Sequence, residues 1–509
     1  MSRKTKERML MLLAGLCFVL VLADGARWFA RLDLTRSKAY SISPVSKEIL
    51  RGIPEQVHVT YFLSSVLRSL SPSPGRVIDL LQEYAAESRG RVIVTVIDPE
   101  KTGQGESARR FGILPQQIQV IQQNEQRTAD VYSGIAIDYL DRYTSLPAVF
   151  SPDGLEYSLS FAVRKVLAGR RLVLGIIVGE PGRSLHHDFD TLQTGLSRDY
   201  SLHEYLPGDP IPPEVDVLLV AGGTQWGEQE LRPVETYLMN GGKILFAVKG
   251  LRVQTASSLS AHAVGPSPLL DMIESYGVRV GHDMVLDTSA RDYRLPQQKP
   301  NGQVGWETIG KYPPWVSIQG PSVSSDNPIT TRFTGLDLLW PVALSAVPRP
   351  GVRAEPIVRT TRSAWVQREP FIVDPYKVPQ EGAPQARFPL VFALTGTFPS
   401  HFSAVRQSIP TRMIVVGDDD FLTDLMQFSD SLSNVLFVEN AVLWLSGNSD
   451  LLSIKTRAGA EGRLDRIQDP VVRSRLMLGV EILNVVVIPL VVVLVGLFWW
   501  VRRKERGGS

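Results

Sequence analysis

Residues 215–250 read VDVLLVAGGTQWGEQELRPVETYLMNGGKILFAVKG, and their pattern indicates the class of fold. Residues 215–221 and 243–248 are predicted strands, and within them 217–221 and 244–248 are continuously apolar, the pattern of strands that are buried on both faces of a parallel sheet. Residues 228–240 lie between them and are predicted to form a helix that ends at Gly241-Gly242. Because strand, helix and strand follow one another at this spacing, we predict a parallel sheet covered by helices.

The same alternation continues on both sides of this unit. Residues 172–178 (LVLGIIV) and 413–416 (MIVV) are further buried strands, and residues 434–445 are predicted to form a helix. We therefore predict a doubly wound α/β domain over residues 171–455. The other predicted parts of this domain are helices at about 188–200 and 269–276, extended segments at 202–206, 278–286 and 452–455, a surface excursion at 288–330 and a Pro-rich stretch at 367–388.

Residues 31–170 are predicted to form a separate α/β domain. Alternating or continuous apolar residues mark strands at 57–63 and 91–97, and the helical period marks 74–88 and 155–168. Further strands are predicted at about 117–122, 131–139 and 145–150. The resulting order, β-α-β-α-β-β-α, resembles a thioredoxin-like sandwich without a CxxC pair, so we interpret this domain as a scaffold or a binding module.

Two apolar segments flank the tandem α/β domains. Residues 9–30 and 476–501 are predicted transmembrane helices, and each has its Lys and Arg cluster on the outer side. Because basic residues near a span favour the cytoplasmic side, residues 1–8 and 502–509 should be cytoplasmic. The α/β domains and a stalk at 456–475 should then be periplasmic or otherwise extracytoplasmic, on a two-pass protein of the bacterial cytoplasmic (inner) membrane. The alternative for the first segment is a signal peptide cleaved after Ala23.

Composition excludes several classes of function. The chain has 54 Lys and Arg against 52 Asp and Glu, which gives no reason to expect a nucleic-acid binder. Its single cysteine, Cys17, lies in the first predicted span, so the exported part has no disulfide and no cysteine nucleophile. Seven histidines without a clustered spacing do not predict a zinc site, and no cofactor is expected. No GxxxxGK[ST] motif is present, so the chain cannot itself hydrolyse ATP.

Three loops that follow predicted strands are candidate binding sites, because ligands of open α/β sheets bind at the carboxyl ends of the strands. They are GEPGRSLHHD (179–188), AGGTQW (221–226) and GDDDF (417–421). Their glycines could present backbone N–H groups to a ligand, or could simply permit tight turns. The candidate ligand-binding residues are Gly179, Glu180, Gly182, Gly222, Gly223, Thr224, Asp418 and Asp419.

Two of these loops also carry residues of catalytic or metal-binding type. Asp418, Asp419 and Asp420 could hold a divalent cation, but three adjacent side chains are not expected to point one way, so a solvated turn or a helix N-cap is favoured and no metal is predicted. His186 and His187 beside Ser184 could form a hydrolase site. No GxSxG elbow accompanies them, and an exposed loop is favoured.

Several motifs, in this order, resemble one family. They are LDLTRSKAYSISPVSKEIL after the first span, VIDPE, YGVRVGHDMVLD, and VVGDDDFLTD with NVLFVENAVLWLSGNSDLLSIKTR before the second span. They are similar to the auxiliary subunit of gliding-motility-type ABC transport systems, the GldG-like family. Residues after Arg171 also resemble a class I glutamine-amidotransferase-like α/β domain. Enzymes of that fold carry a nucleophilic cysteine at a strand-to-helix elbow, and its absence from KILFAVKG implies a non-catalytic use.

The resemblance implies partners and a function. A separate ABC permease and a cytoplasmic ATPase would supply transport, and this chain would be an extracytoplasmic, substrate-binding-like subunit that docks on them through its spans. The cargo or envelope ligand is not indicated. Two alternatives stay open, namely an envelope hydrolase or amidase with a divergent site at 184–188 or 418–420, and a purely structural membrane tether.

Overall fold

The computed structural model describes residues 41–457, except for 123–124, 255–258, 299–303, 325–326, 331–332, 334, 383–385 and 430–431. The predicted spans at 9–30 and 476–501, the two predicted cytoplasmic ends and the stalk at 456–475 lie outside these residues, apart from the first two positions of the stalk. Among the described residues, no helix combines the length and the apolar character that crossing a membrane requires.

The first α/β region begins with a capped helix. Ser43 Oγ accepts a hydrogen bond from the Ser46 N–H, and Pro44 occupies the first helical position. The elements of this region are α1 (Pro44–Arg51), β1 (Val57–Leu63), α2 (Ser65–Leu70), α3 (Ser73–Glu87), β2 (Val92–Ile97), α4 (Pro99–Thr102), α5 (Gly105–Arg110), β3 (Gln116–Gln122), β4 (Glu125–Val131), β5 (Ser133–Tyr139), β6 (Arg142–Leu146) and α6 (Leu155–Ala168).

Four of these strands form a mixed sheet in the order β2-β1-β5-β6. β1 and β2 are parallel, and β5 is antiparallel to both of its neighbours. The predicted strand at 131–139 is divided, because residues 125–131 pair with β3 in a separate hairpin. The strand predicted at 145–150 begins earlier, at Arg142, since Leu140 adopts a left-handed φ of 56° in the two-residue turn after β5.

The second α/β region alternates strands and helices before it becomes mostly β. Its elements are β7 (Val173–Val178), α7 (Leu185–Asp188), α8 (Asp190–Ser197), β8 (Ser201–Glu204), β9 (Val217–Ala221), α9 (Glu228–Met239), β10 (Ile244–Ala247), β11 (Leu251–Gln254), β12 (Ser260–Ala263), α10 (Pro268–Ser275), β13 (Val278–Leu286), β14 (Ala290–Gln298), β15 (Val304–Ile318), β16 (Leu336–Leu339), β17 (Val342–Ala346), β18 (Val352–Arg359), β19 (Trp365–Gln367), β20 (Pro389–Gly396), β21 (Thr411–Val416), α11 (Ser433–Leu445) and α12 (Asp450–Arg457).

A seven-stranded sheet organises this region in the order β18-β20-β21-β10-β9-β7-β8. The five strands from β21 to β8 are parallel, as the apolar runs predicted, and β20 and β18 add antiparallel pairs at one edge. One face packs on α8, α11 and α12. The other face packs on α9 and α10. The mixed α/β class predicted from the sequence is therefore observed.

Two predicted segments differ in the structure. Residues 288–330, predicted as a surface excursion, contain the long β14–β15 hairpin, and Tyr312, Val316 and Ile318 at its base are fully buried. The hairpin register is irregular between the pairs Asp292–Lys311 and Ala290–Val316, and this irregularity accommodates Pro313 and Pro314 within a strand.

The segment predicted to be extended at 452–455 is helical, as part of α12. Leu451, Leu452 and Ile454 are fully buried in the core on one face of the large sheet. A short apolar run of this kind has no period that distinguishes strand from helix, and tertiary packing decides between them.

Candidate functional site

The three candidate loops meet at the carboxyl end of the parallel strands. The Gly179 N–H donates to the Ala221 carbonyl (2.7 Å), and the Gly222 N–H donates to the Ala247 carbonyl (2.8 Å). In the sheet, β8 lies on one side of β7, whereas β9 and β10 lie on the other. The strand order therefore reverses direction at β7. A reversal of strand order opens the crevice in which open α/β sheets commonly bind ligands.

Glycines allow the loops to close onto one another at this crevice. A Cβ atom at Gly179 would lie 2.4 Å from the Gly223 nitrogen, so the two backbones are in direct contact. Gly222 has a φ of 77°, and a Cβ there would lie 2.8 Å from Glu180 Cγ. These positions require glycine for steric reasons. The close approach fills the space that a ligand between β7 and β9 would need.

Lys249, which follows β10, is the centre of a buried ionic cluster. Its Nζ lies 3.0 Å from Asp419 Oδ1 and 3.5 Å from Asp418 Oδ1, and it donates a short hydrogen bond to Asp420 Oδ2. The lysine side chain is 6 % exposed, and all three aspartates are buried. Burial of this many charges is tolerated only where they are paired, which makes Lys249 the counterion of the acidic loop.

The acidic loop is therefore not the solvated turn predicted from the sequence. One carboxylate oxygen from each of Asp418, Asp419 and Asp420 lies within 4.8 Å of the others. The Asp420 N–H donates to Asp418 Oδ1 (2.9 Å), at the start of a 3-10 turn over Asp420–Leu422. This local turn brings together side chains that extended backbone would separate. The positive charge that allows three carboxylates to lie this close comes from Lys249, which follows β10, and from Arg183, which follows β7.

The aspartates differ in what they contact. Asp418 Oδ2 accepts the Leu339 N–H (2.8 Å), and Asp420 Oδ1 accepts Arg183 Nη2 (2.6 Å). Asp419 Oδ1 is near Nζ but is not aligned for a hydrogen bond, and it accepts none among the described residues. The acidic loop thus joins β10, β16 and the loop after β7.

The electrostatic field holds Lys249 in its charged form. Burial alone lowers the pKa of the ammonium, but Asp419, Asp420 and Asp418 more than offset that effect and hold the pKa above its usual range. Burial alone would raise the pKa of Asp420, but Lys249 and Arg183 outweigh it and keep the pKa low. Burial raises the pKa of Asp418 to about 7, against the opposing effect of Lys249.

Trp340 covers the ammonium from the side of the β16–β17 connection. Its ring centroid lies 5.6 Å from Lys249 Nζ, within the range of a cation–π contact. Trp340 has a φ of 55°, a strained conformation for an aromatic residue, and its indole N–H donates to Tyr312 Oη (2.8 Å). The surrounding contacts hold the ring in this position, so the ionic cluster is closed on the side that faces the core.

The opposite side of the cluster reaches the surface through a charged rim. Arg252 Nε lies 3.6 Å from Glu180 Oε2, and Arg252 also donates to Gln225 Oε1 (3.1 Å). Burial raises the pKa of Glu180, and the Asp419 carboxylate adds to the effect, whereas Arg252 and Arg183 oppose it. Arg183, Glu180 and Arg252 are 29 %, 19 % and 45 % exposed, so this rim is the accessible part of the site.

The other predicted residues lie apart from this cluster. Gly182 is exposed at a φ of 83°, and a Cβ atom at this position would contact no neighbouring atom, which indicates a turn. His186 and His187 are exposed on α7. Ser184 Oγ is buried and makes no hydrogen bond among the described residues, so no Ser–His pair forms there. Thr224 is buried beside the glycine turn.

Lys249 is the site residue that the sequence reasoning missed. It was visible as the first residue after the strand predicted at 243–248, in KILFAVKG, the same kind of position that identified the other loops. A lone lysine near an apolar strand gives no sign of three distant carboxylates, because Asp418 follows it by 169 positions. The pairing is set by the parallel register of β10 with β21, in which Ala247 lies beside Val416.

The chemistry open to this cluster is limited by its closed charge balance. A protonated lysine cannot act as a nucleophile or a general base. The three carboxylates could in principle ligate a cation, but the ammonium already occupies the space between them. The arrangement is therefore suited to holding the acidic loop against β10, β16 and the loop after β7, and to presenting the rim of Glu180, Arg183 and Arg252.

Comparisons with known proteins match the chain almost from end to end. A family profile described as "ABC-type uncharacterized transport system" matches residues 171–445, and a domain of unknown function matches residues 36–138. An uncharacterized protein of Borreliella burgdorferi is 23 % identical over 488 residues, which cover 93 % of this chain and 94 % of that protein.

Two solved structures show a distant likeness. ThuA-like proteins of Parabacteroides merdae and Bacteroides uniformis are each 12 % identical, with TM-scores of 0.28. The matches cover 55 % and 54 % of this chain and 91 % of each of those chains. A likeness at this level bears on neither the fold nor the function.

Proposed function

Because the chain belongs to the family described as ABC-type uncharacterized transport system, we propose that it is a non-catalytic, extracytoplasmic accessory subunit of such a transporter. The family match covers residues 171–445, the region that holds the large sheet and the ionic cluster. In this role the chain positions or binds a component outside the membrane, while separate subunits provide the permeation path and ATP hydrolysis.

The observation that carries the non-catalytic part of this proposal is the state of Lys249. In an α/β enzyme of the glutamine-amidotransferase type, the residue at a strand-to-helix elbow is the nucleophile. Here β10 leads into the strand β11 rather than into a helix, and Lys249 between them is held as an ammonium among three buried aspartates. A group with no accessible lone pair has no nucleophilic role.

The finer fold assignments belong to the same proposal. The order β2-β1-β5-β6, with β5 antiparallel to its neighbours and α6 following, supports a thioredoxin-like first domain. The parallel strands β8-β7-β9-β10-β21, with helices on both faces, support a glutamine-amidotransferase-like second domain. Both folds would serve as binding scaffolds that lack their usual cysteine.

The proposed anchoring rests on the two apolar segments. Residues 9–30 and 476–501 would dock beside a polytopic ABC permease, and the α/β domains would project into the periplasm or the equivalent compartment. A substrate-binding-like role, and assignment to the gliding-motility type of system, are the most specific forms of the proposal. They are supported by motif order alone.

Affinity purification tests the partner set. The full-length protein, tagged and expressed in its native host, would be solubilised in mild detergent and its companions identified by mass spectrometry. We expect a polytopic permease and a P-loop ATPase to co-purify. Recovery of neither subunit, from membranes in which other ABC complexes stay intact, would contradict the proposal.

A matched variant separates a transporter subunit from a structural tether. Replacing residues 9–30 and 476–501 with unrelated apolar helices of the same length should abolish co-purification, because the docking surfaces are lost. A tether would tolerate the exchange.

For the hydrolase alternative, Ser184→Ala, His187→Ala and Asp419→Ala should leave complex assembly intact and remove no hydrolytic activity from the purified complex.

A further inference from the structure

The outer edge of β6 borders an open groove at the junction of the two α/β regions. In the order β2-β1-β5-β6, β6 is the terminal strand, and no strand among the described residues pairs with its outer side. The groove has a volume of about 950 Å³ and runs between residues 141–151, α6 and residues 198–200, which precede β8. It is the right size for several side chains of a bound ligand.

Strand geometry identifies the backbone groups that face this groove. β5 and β6 join through a two-residue turn, so the flanking residues Tyr139 and Arg142 form a hydrogen-bonded pair. Alternation then directs the N–H and C=O groups of Thr144 toward β5. The corresponding groups of Tyr143 and Ser145 point outward, away from the sheet. An edge of this kind can accept an additional strand.

Aromatic side chains form the floor of the groove. Tyr157 and Phe161 on α6 are stacked, with ring centroids 6.1 Å apart, and Phe161 meets Tyr200 edge-to-face at 6.5 Å. Phe150 lies at the side and is 40 % exposed. A surface of this composition favours apolar side chains from a partner.

The walls of the groove carry a small excess of positive charge. Four acidic side chains line it, and most of the basic side chains are already paired: Lys165 and Arg198 with Asp199, Arg142 with Asp141, and Arg170 with Asp216 outside the groove. Arg171 has no carboxylate partner within ion-pair distance among the described residues and donates to the Ser197 carbonyl (3.4 Å). The basic side chains that line the groove are Arg142, Lys165, Arg170, Arg171 and Arg198.

We infer that this groove binds an extended polypeptide segment of a partner protein, which adds as a strand to the outer edge of β6 and carries acidic residues beside apolar ones. The free backbone groups would pair with the peptide backbone, the aromatic floor would accept alternate apolar side chains, and the basic walls would attract its carboxylates. Five residues of strand span about 17 Å, enough for a short recognition motif. The inference does not depend on the transport role.

The test uses synthetic peptides with the purified full-length protein in mild detergent. A fluorescent nine-residue peptide with alternating Glu and Val or Phe should bind with a Kd of about 10–100 µM, as measured by anisotropy. A version with Lys in place of Glu should bind at least about tenfold more weakly. Two further peptides would carry N-methyl groups on either the odd-numbered or the even-numbered amides. One of them should lose binding and the other should keep it, since only one edge of the peptide pairs with β6.

Ser145→Pro is the decisive variant. It removes an outward N–H and leaves the ladder between β5 and β6 intact, so the protein should fold with an unchanged melting temperature and bind the acidic peptide at least about tenfold more weakly. Arg171→Glu with Arg198→Glu should weaken binding similarly, whereas Arg353→Glu on the distant β18 should not.

Three results would overturn the inference. They are no binding of the acidic peptide at about 1 mM, equal binding of the lysine peptide, and binding that Ser145→Pro leaves undiminished. If the variant loses stability, N-methylated peptides with the wild-type protein still decide the outcome. Competition by a small aromatic acid such as benzoate, with no effect of N-methylation, would assign the groove to a small molecule and contradict strand addition.

Discussion

Lys249 determines the charge balance of the whole carboxyl end of the large sheet. It is the one cation among the described residues that lies within ion-pair distance of all three loop aspartates. Arg183 reaches Asp420 alone. Removing the lysine would leave carboxylates buried without adequate compensation, and breaking a buried pair from one side costs about 3–5 kcal/mol.

We therefore expect Lys249→Met to lower the free energy of unfolding by about 3–5 kcal/mol, because the methionine fills the space but supplies no charge. Denaturant unfolding of the full-length protein in detergent, followed by tryptophan fluorescence, measures this change. Lys243→Met is the matched control, since Lys243 precedes the same strand, is half-buried and has no ion pair among the described residues. Its effect should stay within about 0.5 kcal/mol.

A second readout on the same position distinguishes charge from packing. If the Lys249 ammonium occupies a position that a metal cation could take among the three aspartates, millimolar Ca²⁺ should raise the melting temperature of Lys249→Ala. The melting temperature of the wild-type protein should not change. Equal stability of Lys249→Met and the wild-type protein, or a calcium response of the wild-type protein, would show that the cluster is not balanced as described.

At the level of single elements, α8 depends on a cap that comes from a distant part of the chain. Asp424 Oδ2 accepts the Asp190 N–H (3.0 Å), and Oδ1 accepts the Thr191 N–H (2.8 Å). These are first-turn donors that the helix itself cannot satisfy. Burial alone would raise the pKa of Asp424, but these hydrogen bonds outweigh it and lower the pKa.

Asp424→Ala should therefore destabilise the protein by about 1–2 kcal/mol at neutral pH. Because the folded pKa lies below the unfolded value of 3.8, the contribution is present above that value and is lost as the pH falls through the folded pKa. The difference between wild-type and variant should shrink in acid. Asp190→Ala, which removes an exposed first-turn carboxylate, should cost only a few tenths of a kcal/mol and serves as the control. A pH-independent difference would contradict the capping role.

The elements that sequence reasoning predicted correctly are those whose residues carry their own signal. The apolar runs of β7, β9 and β10 needed no knowledge of distant residues. The β14–β15 hairpin and α12 could not be predicted in the same way. Pro313 and Pro314 indicate a loop unless the irregular register is known, and Leu451-Leu452 fits a strand until the core beneath it is known.

The candidate site likewise combines features that are visible in the local sequence with features that depend on distant residues. The loops after β7, β9 and β21 were located because strand ends are visible in the sequence, and their meeting follows from a parallel sheet. The convergence of Asp418, Asp419 and Asp420 was excluded on local geometry, and that exclusion was wrong. A 3-10 turn and a lysine that follows another strand bring the carboxylates together, and the position of that lysine cannot be inferred from the local sequence.

For the molecule as a whole, α6 is the element shared by both α/β regions. Leu159, Val163 and other residues of one face belong to the core of the first sheet. Tyr157 and Phe161 on the other face pack against the core of the second region. Arg164 completes the link, because its Nη1 and Nη2 donate to the two carboxylate oxygens of Asp450 at 2.8 and 2.5 Å.

A double-mutant cycle tests this link. Arg164→Asp and Asp450→Arg should each destabilise the protein by about 1 kcal/mol, a modest value because both side chains are partly exposed. The double exchange should recover at least half of the summed loss, as measured by denaturant unfolding. Additive effects within about 0.3–0.5 kcal/mol would show that the pair does not couple the two regions.

The packing of α12 against α1 has an implication for how such a chain arises. The described part of the protein begins and ends on neighbouring helices, so its two ends lie side by side rather than at opposite poles. A body with adjacent ends can enter the short connection between two existing helices as one genetic insertion, without pulling them apart. The described body thus has the arrangement of ends that domain insertion requires.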